Sequence, residues 1–327
     1  MSTNQKFSLM RIMAVMGCLV FLSIAGVAQA SRPSMRIIVT SGPATAIDST
    51  GRIIQEVFGE ALSQATFIDN IPGGGTMIGT RAIAKAAPDG NTVGIIASNF
   101  AILPSAHKAL PYDSIEDITP IAIIGTVPLV LVASPDLPIS NAQELAAHLR
   151  VSNGKGNYAS PGIGSAQHLM AKAFLDATKA EAVHIPYKST SGLLTDIAAG
   201  ERVDFGVAAL SAAAPLIISG KLRAVGMLGE QRDSTMMDVP TLKEQGFTDV
   251  VFDAWIAMIA PGKLPAEEVH RIHGALSKAI ASPAVRLALE NQQMLVKLSS
   301  QDEAVTFIRS ELDRYSRLAK DAGIIPQ

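Results

Sequence analysis

The sequence MRIIVT at residues 35–40 is a short, mostly apolar run, and it sets how the chain begins to fold. It predicts a buried strand, and the segment Ile47–Gln64 that follows has apolar residues at helical spacing. Two more strands, Thr66–Asp69 and Thr92–Ala97, enclose a predicted helix at Met77–Ala86. This βαβαβ unit favours a parallel sheet with helices on both faces.

The same alternation of apolar runs and amphipathic segments continues towards the C-terminus. A second unit is predicted from Ile121 onward, and two amphipathic helices, Pro265–Ala281 and Gln301–Ala322, close the sequence. We therefore expect an α/β fold with two lobes, each a mostly parallel sheet flanked by helices, and a ligand cleft between them. The predicted boundaries assign 31–126 and 229–327 to lobe 1, and 127–228 to lobe 2.

The N-terminus has the pattern of a secretory signal peptide. Lys6 and Arg11 precede an uncharged apolar stretch from Ile12 to Val27, which ends in Ala28-Gln29-Ala30. This pattern predicts export to the periplasm and cleavage after Ala30. The alternatives are a membrane anchor, for which the apolar run is short of the roughly 20 residues that span a bilayer, and a lipoprotein signal at Cys18.

Charge and cysteine content limit the classes of function. The net charge is −2, and basic residues do not cluster, so we expect no nucleic-acid partner. Cys18 is the only cysteine and lies within the predicted signal, which leaves the exported chain without disulfides or thiolate metal ligands. We expect no metal and no cofactor.

Three loops follow predicted strands and are the candidates for binding. Open parallel sheets bind ligands at the carboxyl ends of their strands, which selects the loops Ser41–Asp48, Ser98–Pro104 and Ser160–Gln167. The glycines, hydroxyls and helix starts of these loops favour an anion. The alternative is that each loop is only a tight turn with a capping residue, such as Ser165 or Asp48.

Catalytic motifs are absent from the sequence. It contains no G-x-S-x-G, no G-x-x-x-x-G-K-[ST] and no H-E-x-x-H. A serine hydrolase that pairs Ser160 or Ser165 with His168 or His184 remains an alternative. We predict no catalytic residue.

Several motifs, taken in order, resemble one protein family. They include Asn70-Ile71-Pro72-Gly73-Gly74-Gly75, Asn157-Tyr158-Ala159-Ser160-Pro161-Gly162, His184-Ile185-Pro186-Tyr187-Lys188 and Asp238-Val239-Pro240-Thr241. With others they cover almost the whole exported chain, and they resemble the substrate-binding proteins of tripartite tricarboxylate transporters, the Bug or TctC-like family. The resemblance implies a periplasmic-binding-protein-like fold and a small carboxylate ligand. It also implies the permease subunits of such a transporter as partners, or alternatively a signalling partner if the protein is a sensor.

The resemblance also implies which residues bind the ligand. The family grips a carboxylate between the first strand–helix loop and the loop after the Asn-Tyr strand, through amides, hydroxyls and water. Carried onto this chain, the predicted ligand-binding residues are Thr40, Ser41, Gly42, Ala44, Thr45, Asp48, Ser98, Asn99, Ala159, Ser160, Gly162, Gly164, Ser165, His168 and Ala208.

Two departures from the family pattern bear on the ligand. Gly42-Pro43-Ala44-Thr45 stands where the family usually has Pro-Pro-Gly-Gly, so side chains replace bare backbone in the first loop. Ala208 stands where many members have an aspartate that contacts the far end of the ligand. We therefore expect a plain or aromatic acid rather than one with a distal cation, and we expect a monomer.

Overall fold

The computed structural model describes residues 32–43, 45–152, 154–163, 165–187, 189–323 and 326. The predicted signal peptide and two predicted ligand-binding residues, Ala44 and Gly164, lie outside the described residues. From Ser34 onward the chain forms one unit that contains two β-sheets.

The first sheet has six strands. They are β1 (Met35–Val39), β2 (Thr66–Asn70), β3 (Thr92–Ala97), β4 (Ile118–Val127), β10 (Ala254–Pro261) and β11 (Leu295–Val296), and they lie in the order β11-β4-β10-β3-β1-β2. The strand β1 pairs in parallel with β2 and β3, whereas β10 pairs antiparallel with β3 and β4.

The second sheet has five strands. They are β5 (Leu129–Ala133), β6 (Gly156–Ser160), β7 (Ala182–Pro186), β8 (Phe205–Ala209) and β9 (Arg223–Met227), and they lie in the order β7-β6-β8-β5-β9. The strand β6 pairs in parallel with β7 and β8, whereas β5 is antiparallel to β8 and β9. Both sheets are therefore mixed. In each sheet a strand that the chain enters from the other sheet, β10 or β5, runs antiparallel to a neighbouring strand.

Helices flank both sheets. They are α1 (Ala46–Leu62), α2 (Met77–Ala84), α3 (Asn99–Ala106), α4 (Ala142–Val151), α5 (Ala166–Thr178), α6 (Thr190–Ala199), α7 (Leu210–Ile218), α8 (Ala266–Ala281), α9 (Pro283–Glu290) and α10 (Gln301–Asp321). Helices α1 and α8 share one core cluster through Phe58 and Ile272, while Tyr315 of α10 belongs to another with Phe100. Helices of the C-terminal part thus pack with the first sheet.

The chain passes between the sheets at two places that lie side by side. Val127 ends β4 and Leu129 begins β5, so only Pro128 separates the sheets there. The chain returns from the second sheet to the first through residues 228–253, the return crossing. The Leu228 amide donates to the Leu129 carbonyl over 2.9 Å, and the Phe252 amide donates to the Leu228 carbonyl over 2.7 Å.

The structure corrects two local predictions. The loop predicted at Ser98–Pro104 is instead the helix α3, in which Phe100, Ala101, Ile102 and Leu103 are buried. The apolar run Ile121–Ile124 predicts a strand that is interrupted at Gly125, but β4 continues to Val127. A side chain at Gly125 would come within 2.5 Å of the Leu295 carbonyl on β11. Glycine in a strand can thus mark a close approach of another backbone instead of an end.

Candidate functional site

The candidate loops of the first sheet lie at its edge beside the crossing. Because β1 and β3 are parallel, Thr40 and Ser98, the residues that follow them, occupy the same edge. The antiparallel strand β10 begins at this edge, where Ala254 pairs with Val127, the last residue of β4.

The candidate loop of the second sheet borders the same crossing. The strands β6 and β8 are parallel, so their carboxyl ends, Ser160 and Ala209, point the same way. Ala209 pairs with Leu129, the first residue of β5. The topology therefore brings the strand-end loops of both sheets towards the place where the chain crosses.

Hydroxyl groups close the first loop, between β1 and α1. Ser41 Oγ lies 2.6 Å from Thr45 Oγ1, and the Thr45 hydroxyl also lies 3.0 Å from the Gly42 carbonyl. Thr45 is the N-cap of α1, since its oxygen accepts the Asp48 amide at 3.3 Å. The Thr45 side chain thus caps the helix.

Asp48 is buried beneath the first loop and ties it to β2. Its carboxylate accepts both from Arg52 Nε, at 3.0 and 3.1 Å, and from Asn70 Nδ2, at 2.8 Å. Asn70 Nδ2 also donates to the Ser41 carbonyl over 3.1 Å. The hydrogen bond to Asp48, and then its charge, raise the pKa of Arg52. These contacts give Asp48 the geometry of a residue that positions the loop.

Ser98 and Asn99 differ in their surroundings. Ser98 is only 3 % exposed, and its Oγ accepts the Trp255 amide at 2.9 Å. Asn99, the first residue of α3, is exposed. The Ser98 side chain therefore joins β3 to β10, and Asn99 presents its side chain to solvent.

Ser160 lies at the centre of the second loop, between β6 and α5. It is fully buried, and its Oγ lies 2.7 Å from His184 Nε2. The same oxygen accepts the Gly162 amide at 3.2 Å and the Ser165 hydroxyl at 3.4 Å. Ser165 is the N-cap of α5 and accepts the His168 amide at 3.2 Å.

Four rings are stacked beside this loop. His168 lies on His184 with centroids 4.1 Å apart and planes 9° apart, His184 on Tyr158 at 4.9 Å, and Tyr158 on Phe205 at 5.7 Å. Burial lowers the pKa of His168 to about 4, and the charges of His184 and Lys172 add to this; burial also lowers the pKa of His184. Both imidazoles are therefore neutral near pH 7.

Two alanines that were predicted to bind the ligand lie in the core. Ala159 and Ala208 are fully buried, in one cluster with Val130 and Leu193. The neighbouring Ala209 is half-buried and packs against the core clusters of both sheets. At the end of β8, Ala209 rather than Ala208 therefore lies at the junction of the two sheets.

The serine–histidine contact at Ser160 differs from the arrangement of a hydrolase. A nucleophilic serine must reach a substrate carbonyl, but Ser160 has no exposed surface and its oxygen already accepts two hydrogen bonds.

Among the described residues no group of three His, Cys, Asp or Glu side chains could hold a metal ion. No helix in the described part of the chain is long and apolar enough to cross a membrane.

A cavity of about 1020 Å³ lies elsewhere, between β4, β11, α10 and the return crossing. Phe307 and Leu298 contribute apolar walls, and Glu230 and Asp253 contribute carboxylates. Burial, and then the Glu230 charge, raise the pKa of Asp253 to about 6. Of the predicted ligand residues that the structure describes, none lines this cavity.

Sequence reasoning missed Tyr158 as part of the site, and it considered His184 only as a partner of a catalytic serine. Both lie in motifs that carried the family resemblance, yet an isolated histidine on a strand gives no local sign of its partner. Their pairing across β6 and β7, where Tyr158 is in register with His184, brings the His184 ring to Ser160.

The two-lobed α/β fold is that of a periplasmic binding protein. The solved structure of periplasmic binding protein BugD matches with a TM-score of 0.73 and 26 % identity over 90 % of this chain and 99 % of BugD. This confirms the predicted fold class.

The chain belongs to the tripartite tricarboxylate transporter receptor family, whose model matches residues 50–324. The protein BugT of Bordetella pertussis is 30 % identical over 96 % of this chain and 98 % of BugT. An R. palustris protein solved with adipate is 25 % identical, with a TM-score of 0.76, over 90 % of this chain and 99 % of its own. The resemblance found in the sequence is therefore confirmed, and the family is one of periplasmic solute-binding proteins.

Proposed function

We propose that this protein captures a small carboxylate in the periplasm and delivers it to the permease of a tripartite tricarboxylate-type transporter. The observation that carries the proposal is the position of the two hydroxyl-rich loops, one from each sheet, beside the crossing. The relative solved with adipate supports a carboxylate as the ligand.

The loops offer the chemistry that an anion requires. Each loop leads into a helix, α1 or α5, and the N-terminus of a helix favours negative charge. Ser41 and Ser165 are partly accessible at these two helix starts. Closure of the lobes over the ligand would strengthen these charge-assisted bonds by excluding water.

We infer a ligand without a distal cation, as the sequence predicted. Asp48, the carboxylate of the first loop, is buried and paired with Arg52, so it is not placed to receive an ammonium group. A dicarboxylate or an aromatic acid fits this environment better than a basic or zwitterionic amino acid.

Binding and release, without bond cleavage, make up the proposed role. We propose export with cleavage after Ala30, action as a monomer, and transfer of the closed form to the permease. Mass spectrometry of protein from the periplasmic fraction should give Ser31 as the first residue. Deletion of the gene should abolish uptake of the ligand, whereas a sensor would leave uptake intact and change only a signalling response.

A thermal-shift screen of protein purified from the periplasm tests the ligand class. The panel holds mono-, di- and tricarboxylates, aromatic acids and amino acids, with adipate first. A ligand at about 100 times its dissociation constant stabilises the folded state by about 2.7 kcal/mol. No shift with any carboxylate would refute the proposal.

A matched pair of variants tests whether the first loop receives the carboxylate. A side chain at Gly42 would meet no atom within 4 Å, so both Gly42→Asp and Gly42→Asn can be built without a clash. A like charge a few ångströms away costs about 1–4 kcal/mol, so Gly42→Asp should weaken binding at least about fivefold. Gly42→Asn, of the same shape but neutral, should bind nearly as the wild type does. Equal affinities for the two variants would place the carboxylate elsewhere.

A further inference from the structure

We propose that His184 is the positioning residue of the second ligand loop, and that uptake of a proton by its imidazole loosens this loop and releases the ligand. The part that concerns ligand release rests on the proposed function. The part that concerns loop geometry stands on the contacts around Ser160 alone.

The contacts form a closed circuit around the loop. His184 Nε2 meets Ser160 Oγ at 2.7 Å, Ser165 Oγ donates to Ser160 Oγ, and Ser165 caps the His168 amide. The His168 ring then lies on the His184 ring at 4.1 Å. Ser160 and Ser165, on either side of the loop, are thus both linked to the His184 imidazole, Ser165 through Ser160.

The valence of the Ser160 hydroxyl makes this circuit sensitive to protonation. A hydroxyl has one hydrogen to donate and two lone pairs to accept with. Ser160 Oγ already accepts from the Gly162 amide and the Ser165 hydroxyl. Its single hydrogen faces two acceptors, His184 Nε2 at 2.7 Å and the Gly162 carbonyl at 3.0 Å, and we assign it to the shorter contact. That assignment requires a neutral imidazole with an unprotonated Nε2.

Protonation of His184 reverses the direction of that bond. Nε2–H must then donate to Ser160 Oγ, which has no lone pair left. The Ser160 hydrogen can turn to the Gly162 carbonyl at 3.0 Å, but either the Gly162 amide or the Ser165 hydroxyl must be released. Loss of the Gly162 hydrogen bond frees the loop backbone. Loss of the Ser165 hydrogen bond frees the hydroxyl that caps α5.

The surroundings of the stack disfavour a positive charge on it. Lys172 of α5 and the neighbouring imidazole add to burial in lowering the pKa of His168. Lys172 is itself paired with Asp176, which also acts on Tyr158 of β6, and Phe205 of β8 contributes an uncharged ring. Because burial also lowers the pKa of His184, the pair takes up protons below about pH 6.5.

Two substitutions at His184 separate hydrogen bonding from stacking. Glutamine places an amide near the position of Nε2 and does not titrate, whereas phenylalanine keeps the ring stack and loses the hydrogen bond. The control is His270→Gln, an exposed histidine on α8. Unfolding curves for each variant verify that it folds.

The first measurement is the affinity for adipate by calorimetry at about pH 7.5 and about pH 5. Protonation of adipate itself lowers affinity equally in all variants and cancels in their comparison. The wild type and His270→Gln should lose about tenfold more affinity on acidification than His184→Gln does. His184→Phe should bind about tenfold more weakly than the wild type at the higher pH. If acidification lowers the affinity for adipate equally in the wild type and in His184→Gln, the proposal is overturned. This comparison does not depend on His184→Phe, so it tests the proposal even if that variant does not fold.

The second measurement needs no ligand. In ¹H–¹⁵N spectra the Gly162 amide should shift as the His184 ring titrates, and should stay in place over the same pH range in His184→Gln. A Gly162 amide that does not follow His184 would overturn the inference. If no carboxylate binds the wild type yet Gly162 follows His184, the proposed function fails and the positioning role of His184 stands.

Discussion

Ser98→Ala tests the link between the first candidate loop and the crossing. In an antiparallel ladder the Trp255 amide would face the strand carbonyl opposite it, but β3 ends at Ala97. The Ser98 hydroxyl supplies the acceptor instead, at 2.9 Å from the Trp255 amide. Alanine removes that acceptor and leaves a backbone N–H in a site that both residues bury.

The magnitude follows from the burial of the two residues. Ser98 is 3 % exposed and Trp255 is fully buried, so water does not readily replace the lost oxygen. A buried donor left unpaired costs about 1–3 kcal/mol. With a urea m-value of about 3 kcal/mol/M for a chain of this size, the midpoint should fall by about 0.3–1 M.

Urea unfolding followed by tryptophan fluorescence measures this loss. Trp255 is the only tryptophan, so the signal comes from the site itself. Ser310→Ala is the matched control, since this exposed serine donates only to the Phe307 carbonyl of its own helix. It should change stability by less than about 0.5 kcal/mol.

The same variants decide what the Ser98 side chain does for the ligand. Because its oxygen accepts from Trp255, Ser98→Ala should lower stability while the affinity for the ligand changes less than about threefold. A variant as stable as the wild type would refute the role of the hydrogen bond. A large loss of affinity at unchanged stability would make the Ser98 hydroxyl a ligand contact.

Three further changes have defined outcomes. Gly79→Ala would place a methyl group 2.6 Å from the Ile71 carbonyl and 2.9 Å from Thr40 Cα. Overpacking costs about 1–3 kcal/mol, whereas the gain in helix propensity is about 1 kcal/mol, so urea unfolding should show a net loss of stability. Gly274→Ala, in α8 with no atom within 4 Å, should stabilise instead. Asp253→Asn should stabilise by about 1–3 kcal/mol at pH 7.5 and by nothing below about pH 4, because burial raises the pKa of Asp253 to about 6 and the folded state loses stability as the pH rises from about 4 to about 6. Exposed Asp249→Asn is the control and should change stability by less than about 0.5 kcal/mol. The Trp255 indole N–H donates to a Glu311 carboxylate oxygen over 2.9 Å, and Glu311→Leu removes that acceptor. Thermal unfolding should show that this variant loses about 1–3 kcal/mol of stability, and that Glu311→Gln loses less.

Local sequence patterns predicted most of the strands and helices because those patterns report burial directly. The strand Thr92–Ala97 was predicted with the bounds that the structure has, and the alternative that Ser165 caps the helix after it agrees with the structure. Failures arose where a breaker residue lay inside an element. Pro104 concealed α3, whose buried face holds Phe100 and Leu103 against the core.

Two of the three candidate loops, those after β1 and β6, were also predicted at the ends of parallel strands, the place where open α/β sheets bind ligands. The roles of individual side chains within them were not. Asp48 is joined to Asn70, 22 residues away, and this pairing depends on how α1 lies on β2. Ala208 illustrates the same limit, since only the packing of β8 decides that its methyl group faces the core.

The sequence by itself determined the alternation of strands and helices, the loops at the strand ends, and the family to which the chain belongs. Only the tertiary structure decided that Ser160 lies against His184 and that Ser98 accepts from Trp255. These pairs are 24 and 157 residues apart in the chain. The register of neighbouring strands brings them together, and a register depends on every side chain that packs across the sheet.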